Sequence, residues 1–222
     1  MCNVSARSRG RGSFLLLLML GSLTGCGLGA GPAHHISVNM KSNGEVLAIS
    51  ELVFDNHTAT VTTDDEVEKY DLRHESWFDE NRDRWVTLSQ SQSWTENSVA
   101  QSRMSLETRA PEAAKPLLQW MITPRFDVTQ EGDVLLLTSG FLDYKITVAP
   151  GGPELPAYYK FARLNAYRKA MTLRQQLPLA ELLVLKELET RNLLPRRMEV
   201  RFPSIPEGPT AVVELTPVDA SR

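Results

Sequence analysis

An Asn-Gly pair constrains the fold of this 222-residue chain more than any other feature of the sequence. Asn43-Gly44 lies between an alternating run at residues 36–40 and an apolar run at residues 45–54. A two-residue Asn-Gly loop favours a type I′ turn, because both residues tolerate positive φ and this turn matches the twist of paired strands. The sequence therefore predicts a β-hairpin that covers residues 36–54.

The second strand of the predicted hairpin is apolar at both its odd and its even positions. Val46, Leu52 and Phe54 share one face of this strand. Leu47 and Val53 share the other face, since successive side chains of a strand point to opposite sides. Apolar side chains on both faces are typical of a strand that is covered on both sides, and we expect that cover here.

Alternating and β-branched segments, separated by turn residues, predict further strands after the hairpin. They recur at spacings that are typical of an antiparallel meander. The predicted strands cover residues 58–63, 67–72, 84–89, 126–130, 134–138, 142–148, 198–202 and 211–216.

Three segments have the character of helices. They cover residues 111–122, 156–171 and 178–193, and we expect Pro195 to end the last of them. Residues 90–108 are rich in Ser and Gln and are compatible with either a weak helix or an exposed loop. The sequence thus predicts an α+β fold, in which two to three helices pack on an antiparallel sheet.

The composition excludes several classes of site. The only cysteines are Cys2 and Cys26, so residues 27–222 can form neither a disulfide nor a thiolate metal site. Removing residues 1–25 takes away three arginines and no acidic residue, which leaves 21 Lys and Arg against 27 Asp and Glu. Nucleic-acid binders usually carry a basic stripe or patch, so we expect no nucleic-acid partner.

The first 25 residues have the pattern of a secretion signal. Arg7, Arg9 and Arg11 precede an apolar stretch at residues 14–23. As a helix this stretch is about 15 Å long, whereas the apolar core of a bilayer is about 30 Å thick. The stretch is too short to span a membrane by itself and fits the apolar region of a signal peptide.

The signal ends on Leu23-Thr24-Gly25-Cys26, which resembles the lipobox of bacterial lipoprotein precursors. The resemblance implies that a diacylglyceryl group is attached to the sulfur of Cys26 and that the chain is cut just before this residue. Leu23, Thr24 and Gly25 would then be recognised by the peptidase, and the acyl chains on Cys26 would hold the protein at a membrane. Gly27, in place of an acidic residue, implies the outer membrane, facing the periplasm, if the host is Gram-negative.

Two other interpretations of the N-terminus remain open. An ordinary secretion signal could be cut at a small residue of the segment 27–30, so that Cys26 is lost, or the apolar stretch could be a core helix of a cytosolic protein. Under the lipoprotein interpretation, residues 1–25 are the signal peptide and residues 26–35 are the lipidated cysteine with a flexible Gly-rich tether. Residues 36–222 then form a single α+β domain.

No catalytic or cofactor motif stands out in the sequence. Neither a Gly-x-Ser-x-Gly elbow nor a Ser-x-x-Lys pair is present, and the tether holds the adjacent pair His34 and His35. His57 and His74 lie near several acidic residues, but no spacing there matches a known metal-binding loop. We therefore expect a non-enzymatic protein without a catalytic residue, a cofactor or a metal site.

The order of the elements and the location at a membrane are similar to those of the lipoprotein-carrier and lipid-carrier proteins of bacterial envelopes. That resemblance implies a sheet curved into a half-barrel, with a sheet-helix cavity that binds or carries lipid or lipoprotein. The alternative is an interaction or assembly subunit, which docks on another envelope protein through the helical pair at residues 158–188 or through a sheet edge. A metal-dependent hydrolase around His57 and His74 is a distant third hypothesis.

Overall fold

The computed structural model describes residues 32–64, 66–172, 177–203 and 210–218. Over these residues the chain has a mixed α+β fold, in which four α-helices accompany one antiparallel sheet. The predicted α+β class is confirmed, with one helix more than the upper end of the prediction. The predicted signal peptide and the lipobox residues Leu23, Thr24, Gly25 and Cys26 lie outside the described residues.

Eleven strands form a single sheet. They are β1 (His34–Ser42), β2 (Glu45–Phe54), β3 (Thr58–Thr63), β4 (Glu66–Asp71), β5 (Ser76–Asp79), β6 (Arg84–Thr87), β7 (Asp127–Glu131), β8 (Val134–Thr138), β9 (Asp143–Pro150), β10 (Leu193–Arg201) and β11 (Ala211–Pro217). Their order in the sheet is β6-β5-β4-β3-β2-β1-β11-β10-β9-β8-β7, so β6 and β7 are the edges and the sheet is not closed. Two meanders, β1–β6 and β7–β11, are therefore joined in the middle by the pairing of β1 with β11.

Four helices connect the strands at two places in the chain. They are α1 (Leu88–Thr108) and α2 (Lys115–Ile122) between β6 and β7, and α3 (Leu155–Thr172) and α4 (Leu179–Thr190) between β9 and β10. α1 begins with a capping box, in which Thr87 Oγ1 accepts a hydrogen bond from the Gln90 N–H and the Gln90 side chain accepts one from the Thr87 N–H. The sequence allows either a weak helix or an exposed loop at residues 90–108, and the structure has a helix there.

The predicted hairpin is confirmed. Asn43 and Gly44 form its turn with φ values of 50° and 86°, in the region that Asn and Gly tolerate best. β1 begins at His34, two residues before the predicted start of the domain at residue 36, because His34 pairs with Phe54 and His35 pairs with Val53. The last two residues of the predicted tether therefore belong to the sheet.

The expectation that β2 is covered on both faces is wrong for the half next to the turn. Val46, Leu47 and Ile49 are 54%, 61% and 57% exposed, whereas Phe54 at the other end of the strand is 1% exposed. β3 pairs with only the last five residues of β2, and Tyr158 of α3 packs against Phe54. The half next to the turn extends past both of these neighbours, so its apolar side chains remain exposed.

Pro195 lies inside β10 and does not end the last helix as expected. α4 ends at Thr190, and Asn192 adopts a positive φ of 55° just before β10 begins. The pairing of β10 with β9 shifts register between Pro195 and Arg197. Such a bulge accommodates proline, because proline has no N–H to donate to the ladder.

α3 forms the centre of the core. Ten of its eighteen residues are buried, and they are distributed around the whole circumference of the helix. Phe54 of β2 and Tyr70 of β4 contact its Tyr158 and Phe161, with ring centroids 6.2 Å and 5.0 Å apart. On its other sides α3 packs against α1 and α4.

A polar network joins α3 to β4 beside this core. A guanidinium nitrogen of Arg168 lies 2.7 Å from Glu68 Oε1, and the Tyr70 hydroxyl donates to Glu68 Oε2 at 2.7 Å. The Tyr70 oxygen also lies 3.0 Å from Asn165 Oδ1. Burial, and after it the charge of Glu68, raises the pKa of Tyr70 well above its ordinary value, so its hydroxyl keeps the proton that it donates.

We expect Arg168→Met to lower the free energy of unfolding by about 1–3 kcal/mol, because it leaves the Glu68 carboxylate without its cationic partner. The matched control is Arg163→Met on the same helix. Arg163 pairs with Glu189 at 2.7 Å, but these side chains are 32% and 45% exposed, so the expected loss is below about 1 kcal/mol. Urea unfolding followed by circular dichroism measures both losses, and equal losses would contradict a special role for the network.

Candidate functional site

Two adjoining pockets lie beside the helices, one of them against the sheet and the other between helices. The first, which we call the sheet pocket, has a volume of about 370 Å³ and is lined by Tyr144 and Phe202 on the sheet side and by Ala166 on α3. The second, which we call the helix groove, has a volume of about 590 Å³ and lies between α1, α2 and the end of α3. Ala170 and Leu177 line both pockets, so the two spaces meet at these residues.

The sheet pocket lies at the end of the sheet that is distant from the start of β1. The chain enters the sheet at His34, and β1 ends at Ser42. Through successive pairings, Ser42 lies in one row with Ala211, Val200 and Tyr144, and Tyr144 lines the pocket. Because a strand rises about 3.4 Å per residue, this row lies about 27 Å from the point where the tether joins the domain.

Small side chains on α3 make room for the pockets. Ala166 and Ala170 lie one helical turn apart, and both are buried. A larger side chain at either position would occupy the space that now belongs to a pocket, since protein interiors are otherwise close-packed. The alanines therefore determine how much space lies between α3 and its neighbours.

Tyr144 belongs to a cluster of aromatic rings beside the sheet pocket. Phe126 packs edge-on against both Tyr144 and Trp120, with ring centroids 5.7 Å apart in each pair. Trp120 also contacts Phe141 at 5.8 Å. Burial, and after it the charge of Glu181, raises the pKa of Tyr144 above its ordinary value.

An ion pair connects α3 to α4 at the same pocket. Lys169 Nζ lies 2.7 Å from Glu181 Oε1, and both residues line the sheet pocket. Both side chains are more than a third exposed, so the pair contributes at most about 1 kcal/mol to stability. It marks the polar rim of a pocket whose other walls are mainly apolar.

The acidic residues around His57 and His74 stabilise turns. Asp55 Oδ1 accepts the His57 N–H at 2.7 Å, and Asp71 accepts the N–H groups of Arg73 and His74 at 3.0 Å and 2.9 Å. Burial raises the pKa of each aspartate, but hydrogen bonds from these partners outweigh it and leave the pKa lowered. Within the described residues, no group of three or more His, Cys, Asp or Glu side chains is arranged to hold a metal ion.

The helical pair at residues 158–188, which the alternative prediction uses for docking, places much of its surface in the core. Tyr158 and Leu188 are buried, because α3 and α4 supply the core that the sheet covers. The sheet edges remain available for the same purpose. Most residues of β6 and β7 are exposed, and each strand has a neighbour on one side only.

An exposed apolar cluster at the β1–β2 turn was not predicted. We call it the hairpin tip, and it consists of Met40, Val46, Leu47 and Ile49. Single exposed apolar side chains are common, but a group of them often marks an interaction site. The sequence carries a signal for it, since apolar residues on both faces of a strand stand directly beside the polar turn Asn43-Gly44.

Comparison with known proteins identifies no family for this chain. The chain matches no protein-family model, and no curated protein matches it in sequence. In the part of the chain that the structure describes, no helix is long and apolar enough to cross a membrane. The pockets, the hairpin tip and the N-terminal sequence are the features of this chain that bear on its function.

Proposed function

We propose that this protein is a non-enzymatic envelope lipoprotein that binds or carries lipid or lipid-modified protein. Acyl chains on Cys26 hold it at the membrane, which is the outer membrane facing the periplasm in a Gram-negative host. The observation that carries the proposal is that the sheet pocket and the helix groove meet at Ala170. Binding of this kind needs neither a cofactor nor a metal ion.

The size and the chemistry of the pockets support binding of an acyl chain. Small-molecule pockets are typically about 300–1,000 Å³ in volume and are lined mainly by apolar side chains. The volumes of about 370 Å³ and 590 Å³ fall within this range. Each CH₂ group that moves from water into such a site contributes about 0.8 kcal/mol, so a chain of many carbons can bind firmly without any polar contact.

The contacts of α3 support the curved half-barrel that the proposal requires. Asn165 lies beside Tyr70 of β4, while its neighbour Ala166 lines a pocket with Tyr144 of β9. These two strands are six positions apart in the sheet, or about 29 Å in a flat sheet at about 4.8 Å per strand. A helix with its side chains is only about 10–12 Å wide, so a sheet that wraps around α3 accounts for both contacts best.

The position of Cys26 supports an anchor that keeps the domain near the membrane. Seven residues, 27–33, separate Cys26 from His34, the first residue of β1. Even when fully extended, a segment of this length spans at most about 25 Å. The start of β1 would thus stay close to the bilayer, and the pockets would lie at the other end of the sheet.

A second candidate function is docking on another envelope protein, and the hairpin tip favours it. Leu47 is the extra residue of a bulge, because Met40 pairs with Ala48 while Lys41 pairs with Val46. A bulge directs side chains away from the regular pleat, and Leu47 is the most exposed member of the tip. Burying it against a partner would remove apolar surface from water.

We expect Ala170→Leu to weaken the uptake of a fluorescent fatty acid by about tenfold. The larger side chain fills the junction of the two pockets and displaces at least two CH₂ groups, at about 0.8 kcal/mol each. Fluorescence titration of the purified protein measures the effect. Met104→Leu is the control, since Met104 is 67% exposed on α1 and should leave uptake unchanged. The proposal fails if the wild-type protein takes up no probe and native mass spectrometry detects no co-purified acyl ligand.

We expect Cys26→Ser to release the protein from the membrane fraction while the domain remains folded, because serine offers no thiol for lipid attachment. Fractionation followed by a high-salt wash measures membrane association, and thermal unfolding of the released protein measures folding. A Cys26→Ser protein that still sediments with membranes after the wash would show that the anchor is not a lipid on Cys26.

For the second candidate, a photo-crosslinking side chain at Leu47 should capture another envelope protein in cells, because the hairpin tip would be buried against that partner. The same side chain at Met104 is the control, since this residue is an isolated exposed apolar group on α1. Mass spectrometry of the crosslinked product identifies the partner. Recovery of the monomer alone at Leu47 would rule out docking through the tip.

A further inference from the structure

The face of α1 that lines the helix groove is mainly polar, with Trp94 and Leu106 as its apolar members. Ser98, Gln101, Ser102, Ser105 and Arg109 all line the groove. Each residue of an α-helix advances by about 100°, so this spacing arranges them in one stripe along the helix. A helix at the surface of a domain normally turns an apolar stripe toward the body, because that is the surface it buries. Gln101, Ser105 and Arg109 are exposed, so this side of the groove is open to solvent.

The opposite wall of the helix groove is apolar. Leu118, Met121 and Ile122 of α2 form much of it, and Ala170 and Leu177 continue it toward the sheet pocket. The groove thus has one wall that offers hydroxyl and amide groups and another that offers hydrocarbon. A pure hydrocarbon would leave the polar wall without hydrogen bonds, and a polar solute would leave the apolar wall uncovered. An amphiphile matches both walls.

Arg109 gives the helix groove a positive charge, which favours a ligand with a negative charge. Of the described residues that line the groove, Arg109 is the ionisable one. It forms no ion pair with any carboxylate in the described ranges. The backbone N–H of Arg109 donates to the Ser105 carbonyl at 2.9 Å, which holds the backbone of Arg109 at the end of α1. Since a guanidinium binds carboxylate and phosphate groups through paired N–H donors, an anionic head group complements the groove.

We infer that the helix groove is a binding site for an anionic lipid. Arg109 and the hydroxyls of Ser102 and Ser105 bind its carboxylate or phosphate group, and its acyl chain packs against Leu118 and Met121 of α2. The end of the acyl chain lies next to Ala170, which lines both the groove and the sheet pocket. This inference rests on the proposed function and adds the chemical class of the ligand to it.

The test uses three probes with the same acyl chain: a fatty acid, a lysophosphatidic acid and a neutral monoacylglycerol. Each competes with a neutral fluorescent acylglycerol for the purified full-length protein, below the concentration at which the probes aggregate. We expect the wild-type protein to bind both anionic probes about tenfold more tightly than the monoacylglycerol, as is typical of a hydrogen bond to a charged group. Arg109→Gln should remove this preference, because glutamine keeps hydrogen-bonding groups but carries no charge. The ratio between the two anionic probes tells whether the site favours carboxylate or phosphate.

The matched control is Arg103→Gln, because Arg103 is an exposed arginine of the same helix on the side away from the groove. It should keep the full preference for anionic probes. Equal binding of all three probes by the wild-type protein would overturn the inference and leave the proposed function standing. Equal losses in Arg103→Gln and Arg109→Gln would also overturn it, since they would report the net charge of the protein alone. If the wild-type protein binds none of the probes, the proposed function itself fails.

Discussion

The burial of α3 is the constraint on which the other elements depend. Its buried residues lie on every side of the helix, and the sheet covers part of them while α1 and α4 cover others. Burying one large apolar side chain contributes about 1.5–3 kcal/mol, and Leu164 and Tyr159 are among those fully buried. Both meanders contribute to this cover. Tyr70 of β4 packs on α3 from one side, and the carbonyl of Leu193 in β10 accepts the hydrogen bond of the Tyr159 hydroxyl from the other.

Local signals in the sequence predict much of the sheet but not all of it. The hairpin follows from turn chemistry at Asn43-Gly44, and the predicted strands at residues 58–63 and 134–138 coincide with β3 and β8. β5 escapes prediction, because it is only four residues long and buries the polar residues Ser76 and Asp79 beside Trp77. For the half of β2 next to the turn, the apolar sequence predicts burial, but the side chains are exposed. Tertiary packing decides which neighbours cover a strand, and this cannot be derived from the sequence of the strand itself.

The candidate site is harder to predict than the sheet, because its walls come from distant parts of the chain. Leu118, Tyr144 and Ala166 belong to α2, β9 and α3, Phe202 follows the end of β10, and no local spacing connects them. The polar stripe of α1 is visible in the sequence at helical spacing. A stripe of Ser and Gln usually faces solvent, however, and only the position of α2 and α3 shows that this one faces a groove. The lipobox, in contrast, consists of four adjacent residues and can be recognised from the sequence alone. Lipid attachment to Cys26 remains a prediction.

The distance between the start of β1 and the sheet pocket has a consequence for how a cargo could enter. If Cys26 is the anchor, the tether acts as a pivot near one end of the domain, and the pockets lie about 27 Å along the sheet from the first residue of β1. An upright domain would present its pockets to the aqueous compartment, where a soluble donor could meet them. A domain lying on its side would bring them toward the bilayer that holds it. The tilt of the domain, rather than the chemistry of the pockets, would then decide whether lipid is exchanged with a soluble donor or with the membrane.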